Sequence, residues 1–168
     1  FVLWDAENNE AIHLNEPQRH DINLVLQKRN TLLQWEQGSG KTLAGIAVGQ
    51  YRMNCQGIRN TWVVSSAISI RNNWDLVLKN YGISYVFVEK LKQIRKGDFV
   101  IITLNKISQY QKQVSKWLKQ HRQKIQLVLD ESDEISNARS QRTKAVLACF
   151  RRCRMKLLTT GTSTRNNI

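Results

Sequence analysis

Six short apolar bursts constrain this chain more than any other feature. "TLLQW" (31–35), "TWVVSS" (61–66), "SYVFVE" (84–89), "FVIITL" (99–104), "IQLVLD" (125–130) and "MKLLTT" (155–160) are too short for helices and rich in β-branched residues, so they read as strands. Such near-continuous runs suit a parallel sheet covered on both faces. Helical patterns fall between them, over Thr42–Asn54, Ile68–Asn80, Val114–Arg122 and Ser140–Phe150. This alternation predicts a three-layer α/β domain with a mostly parallel central sheet and right-handed crossovers. The length, 168 residues, fits one domain, and 41% hydrophobic residues supply its core. Ligands of such sheets bind where the strands end. Glu36–Lys41, Asp130–Asp133 and Gly161–Thr162 each follow a strand, so all three are expected on one edge.

Charge narrows the partner. Lys and Arg number 26 against 13 Asp and Glu, a net +13. That excess favours an anionic polymer, and nucleic acid is the commonest. Cys55, Cys149 and Cys153 form an odd set without a CxxC pair, as reduced structural thiols of an intracellular protein do. No apolar run reaches transmembrane length, and Phe1 to Leu14 is not a signal peptide, so no membrane partner is expected. The chain opens on Phe1 and closes on "RNNI", which suggests a segment of a longer protein.

Chemistry enters at "GSGKT". Gly38 and Gly40 permit backbone shapes that turn amides, with that of Ser39, toward phosphate oxygens. A helix starting near Thr42 aims its positive end at the same place. Lys41 is placed to reach the β- and γ-phosphates, and the Thr42 hydroxyl to ligate Mg²⁺. Trp35 stands where the full phosphate-loop pattern has glycine. A glycine turn without a ligand is the bland alternative. "LVLDESDE" (127–134) supplies the complementary half. Asp130, closing a buried strand, is the candidate Mg²⁺ carboxylate, and Glu131 the candidate base that orients water. Four of the 13 acidic residues fall between 130 and 134.

Taken in order, these motifs resemble the first RecA-like lobe of superfamily 2 helicases and translocases, nearest to Swi/Snf-type DNA-dependent ATPases. The resemblance runs from about Asn15 to Ile168. "WEQGSGKT" is similar to DEMGLGKT, and "LVLDESDEISN" to the family's DEGHRIKN or DEAH box, with Asp133 in the histidine position. "WVVSSAISIRNNW" (62–74) resembles the next motif, with Ser66 in or near the place of its proline. "DFVIITLNKI" (98–107) resembles the strand and threonine that touch DNA backbone. "LLTTGTSTRNNI" (157–168) is similar to LLTGTPIQNNL, with Ser163 for proline and Arg165 for glutamine.

The resemblance implies ATP and Mg²⁺ as cofactors and hydrolysis that drives movement along duplex DNA. It implies an adenine-reading glutamine, for which Gln18 is the candidate, a solvent-facing helix-start role being the alternative. Asp133, Thr160, Gly161 and Thr162 would couple the site to movement. Ser65, Ser66, Arg71, Asn72 and Thr103 would meet nucleic-acid phosphates, contacts that position a strand without reading sequence. The basic helix 111–124 either touches a duplex backbone or is a solvated face. Residues 1–168 would form one lobe, completed by arginines of a second RecA-like lobe beyond Ile168. A strand-separating helicase of DNA or RNA, and a degenerate module that binds without hydrolysis, are the rival readings.

Overall fold

The computed structural model describes residues 2–35, 40–132 and 139–161. A small antiparallel hairpin, β1 (Val2–Asp5) with β2 (Glu10–His13), precedes α1 (Glu16–Leu26). The main sheet contains β3 (Asn30–Gln34), β4 (Asn60–Ser65), β5 (Tyr85–Phe87), β6 (Phe99–Thr103), β7 (Ile125–Leu129) and β8 (Met155–Thr160). Its order is β3-β8-β7-β4-β6-β5, and every pairing is parallel. The helices are α2 (Lys41–Cys55), α3 (Ala67–Ser69), α4 (Asp75–Asn80), α5 (Gln111–Gln120) and α6 (Gln141–Phe150). All six expected strands are present, and the sheet is wholly rather than mostly parallel.

Alternation along the strands builds two cores. Trp62, Val64, Leu127 and Leu129 face α5 and α6, where Val114, Trp117, Leu118, Val146 and Phe150 meet them. Val63, Val128, Ile101 and Leu157 face the opposite side, with Ile46, Ala47 and Val48 of α2, Trp74 and Leu78. The central strands β4, β6 and β7 are therefore buried on both faces, which is why their sequences show no regular polar alternation.

Three local outcomes differ from the sequence reading. The hairpin was not legible, because its turn is set by polar contacts: Asp5 accepts from the Asn8 amide and side chain, and Asn9 takes φ 53°. The burst at 84–89 gives a strand of only three residues, after which Val88–Gln93 makes two 3₁₀ turns, broken at Lys90 (φ −114°), that bury Val88. The single helix expected over Ile68–Asn80 is α3 and α4 joined by a π turn, Ile70–Trp74, closed by Asp75 N–H to the Ile70 carbonyl.

Arg52 fastens the far end of α2. It is fully buried without a carboxylate partner among the described residues; it donates to Gln126 Oε1 (2.7 Å) and to the carbonyls of Val25 (2.9 Å) and Lys28 (2.7 Å). Burial pulls its guanidinium down to about 10. Arg52→Met would strand these acceptors, with an expected loss of about 3 kcal/mol in chemical denaturation. The thiols divide by burial. Cys55 is exposed, whereas burial raises Cys149 and pushes Cys153 up to about 11. Iodoacetamide at pH 8 should label Cys55 in the native protein and the other two only after unfolding.

Candidate nucleotide and metal site

The register of three neighbouring strands creates the centre of the site. Val64 of β4 pairs with Leu129 of β7, which pairs with Leu158 of β8. One step further, Ser65, Asp130 and Thr159 stand in a row across the sheet edge. The Asp130 amide continues the ladder by donating to the Val64 carbonyl (2.9 Å).

Asp130 is 5% exposed and fully engaged. Oδ1 accepts from Thr159 Oγ1 (2.8 Å) and from the Glu131 amide (3.0 Å). Oδ2 accepts from Ser65 Oγ, Ser69 Oγ and Trp74 Nε1, each at 3.0 Å. Hydrogen bonds from five donors satisfy a buried carboxylate that would otherwise be costly. Thr159 stands where the quoted LLTGTPIQNNL pattern has leucine, and its role was not anticipated. The signal was available: a threonine beside an apolar pair on a buried strand needs a polar partner. Glu131 follows with φ 55°, a left-handed backbone uncommon outside glycine and typical of sites under functional constraint.

The phosphate-loop side lies two strands away in the same sheet. β3 leads to Gly40, whose φ of 91° needs glycine, and α2 begins at Lys41. No side-chain hydrogen bond caps that helix start among the described residues. Gly38 and Ser39 lie outside the described residues. Gln18 reaches this point: a Cβ on Gly40 would meet its Nε2 at 2.8 Å. Its Oε1 accepts from the Asn15 amide, and its own amide donates to Asn15 Oδ1, a capping box that starts α1. Gln18 thus holds the start of α1 and lies, partly buried, beside Gly40. Trp35 is held from α1 as well, its Nε1 donating to Asp21 Oδ2 (2.8 Å). Asp21 was not singled out in the sequence.

The remaining candidates separate by exposure. Ser65 was expected on nucleic acid; it is buried, and its hydroxyl is spent on Asp130. Ser66 caps α3 by accepting from the Ser69 amide. Arg71 and Asn72 are exposed on the π turn, and Thr103 is half-buried at the end of β6. Thr160 ends β8 opposite Gln34 of β3, with Gly161 next to it. Asp133 and Thr162 lie outside the described residues.

Oxygen donors and one carboxylate suit Mg²⁺, which is usually held by one or two carboxylates, water and substrate phosphates. Among the described residues no cluster of three His, Cys, Asp or Glu forms a self-sufficient cage. The donor set therefore fits a metal that arrives with its nucleotide.

The fold is that of a RecA-like three-layer lobe. The DEAD/DEAH box helicase profile matches residues 15–168. The chain belongs to the DEAD/DEAH box helicase family, as the first RecA-like lobe of its Swi/Snf type. It is 29% identical over 162 residues to the chromatin-remodeling ATPase INO80 of Emericella nidulans, covering 88% of this chain and 10% of that protein. It is 30% identical over 151 residues to helicase swr1 of the same organism, covering 83% and 8%. Its fold superposes with TM-score 0.73 on the Sulfolobus solfataricus SWI2/SNF2 ATPase core in complex with dsDNA, at 19% identity, covering 92% of this chain and 33% of that one. UvsW helicase of bacteriophage T4 also gives 0.73, at 12% identity and 99% against 58% coverage. The chain spans about a tenth of the length of the curated relatives it matches.

The Asp130 arrangement predicts a graded response. Thr159→Val removes one donor of five and is expected to cost about 1 kcal/mol. Asp130→Asn sets an NH₂ against donors that include the indole N–H, which cannot reverse its role, and is expected to cost about 3 kcal/mol. Urea denaturation of the two variants checks the order.

Proposed function

We propose that this lobe binds ATP with Mg²⁺ and contributes the chemical half of an ATPase that moves along duplex DNA. The observation that carries the reading is that the helix start at Gly40–Lys41, without a side-chain cap among the described residues, and the buried carboxylate of Asp130 both follow strands of one parallel sheet. The helix amides and Lys41 would take the phosphates, with Gly38 and Ser39 completing the loop. Thr42 and Asp130 would hold the metal, which when bound supplies positive charge to the phosphate oxygens. Glu131, next in the chain, would accept the proton of the attacking water. The Gln18 amide beside Gly40 supports its part in holding the adenine. Thr160 and Gly161, with Asp133 and Thr162, would carry the change in the site to the rest of the protein.

Exposed Arg71 and Asn72, with Ser66 and Thr103, form the side we assign to the nucleic-acid backbone. The +13 charge supports that assignment. Among the described residues no helix is long and apolar enough to cross a membrane. A second RecA-like lobe would add the arginines that stabilise transferred charge, so residues 1–168 alone would bind nucleotide and turn it over little. Such arginines contribute about 10³–10⁵ in rate.

Two variants of the complete protein that carries this chain test the reading. Lys41→Ala should lose at least about tenfold in nucleotide affinity. Glu131→Gln should keep affinity and lose about 10²–10⁴ in turnover. Stimulation by duplex DNA supports the translocase; a preference for single strands or RNA would replace it with a strand-separating helicase. Unchanged nucleotide affinity in Lys41→Ala would overturn the site.

A further inference from the structure

The π turn Ile70–Trp74 has a chemical consequence at Asp130. Ser69 and Trp74 are five residues apart. In an α-helix that spacing leaves two side chains about 140° apart around the axis. The wider turn brings both to one side, and both donate to Asp130 Oδ2 at 3.0 Å. Two residues before Trp74 the same turn exposes Asn72, and three before it Arg71. The indole also packs on the phosphate-loop helix: a Cβ on Gly45 would meet its Cη2 at 2.6 Å. One side chain thus touches the metal carboxylate, the helix that starts at Lys41, and the base of an exposed basic turn.

Donor counting shows what this contact does. A carboxylate offers about four lone-pair sites, and Asp130 receives five donors. A metal, or a metal-bound water, must take the place of at least one. Ser65, Thr159 and the Glu131 amide are fixed by the sheet edge. Ser69 closes α3 and Trp74 closes the π turn that follows it, so a shift of that segment would move both donors. A second register is at hand, since Asn73 Nδ2 already reaches Ser69 Oγ (3.4 Å) at the i,i+4 spacing of an α-helix.

We propose that Trp74 is a positioning residue that couples nucleic-acid contact at Arg71–Asn72 to metal–nucleotide binding at Asp130. This rests on the ATPase reading above. Without polymer, Trp74 and Ser69 occupy Oδ2 and hold the carboxylate away from the metal. A backbone phosphate drawn to Arg71 and Asn72 shifts the π segment and releases Oδ2. Polymer and metal–nucleotide then favour the same arrangement, and by linkage each raises affinity for the other.

The experiment is an equilibrium titration of the complete protein with a non-hydrolysable ATP analogue, with and without duplex DNA, in Mg²⁺ and in EDTA. In the parent protein duplex DNA should raise analogue affinity about 5–150-fold in Mg²⁺ and not in EDTA. Trp74→Phe keeps the ring on Gly45 and removes the N–H donor. It should bind the Mg²⁺–analogue without DNA about as tightly as the parent does with DNA, leaving a DNA effect within about twofold of unity. Ser69→Ala should move in the same direction by less. Structural damage would weaken binding, so a gain in affinity separates the two. Weaker or unchanged analogue binding in both variants, with the DNA effect retained, overturns the role of Trp74 and leaves the ATPase reading standing. A parent protein that binds no nucleotide overturns both, and Lys41→Ala identifies that case.

Discussion

A single buried carboxylate organises this lobe. Asp130 draws donors from the ends of β4 and β8, from the helical segment after β4 and from its own following amide. Buried negative charge is tolerated only when it is so surrounded, and the surrounding groups are fixed in turn by having to reach it. The sheet register delivers Ser65 and Thr159 beside it, and α3 with the π turn after it delivers Ser69 and Trp74. The carboxylate proposed for metal is therefore also the tie that closes the sheet edge.

The same economy explains the close packing behind it. Gly45 allows the Trp74 indole to lie against α2, and Gly49 allows Phe99 and Thr61 to do so one turn later, where a Cβ would meet each at 2.9 Å. These glycines make α2 a smooth surface on which the sheet and the π segment rest. Helix propensity is given up for proximity, at about 1 kcal/mol per glycine relative to alanine.

Much of this was legible in the residues. Continuous apolar bursts announced the strands, of which β4, β6 and β7 are buried on both faces, and the position of Asp130 after one of them placed it at the carboxyl end of the sheet. The hairpin and the π turn were not legible, for different reasons. The hairpin depends on Asp5 and Asn8 side chains meeting within a polar turn, which has no hydrophobic period to detect. The π turn adds one residue per cycle to an otherwise helical pattern, and its cause lies in Asp130, 56 residues away from Trp74. Ser65 was misread because a serine at a strand end looks the same whether it faces solvent or a buried acid.

The anchoring of Arg52 gives α2 the mechanics of a cantilever. The helix is fastened at Arg52, whose side chain donates to Gln126, Val25 and Lys28, and carries Lys41 at its other end. At 1.5 Å per residue Lys41 lies about 16 Å from Arg52 and Gly45 about 10 Å. A tilt that lifts Lys41 by one unit therefore displaces Gly45 by about 0.6 of a unit, directly beneath the Trp74 ring. With no gap there to absorb it, deflection at the tip becomes thrust on the indole.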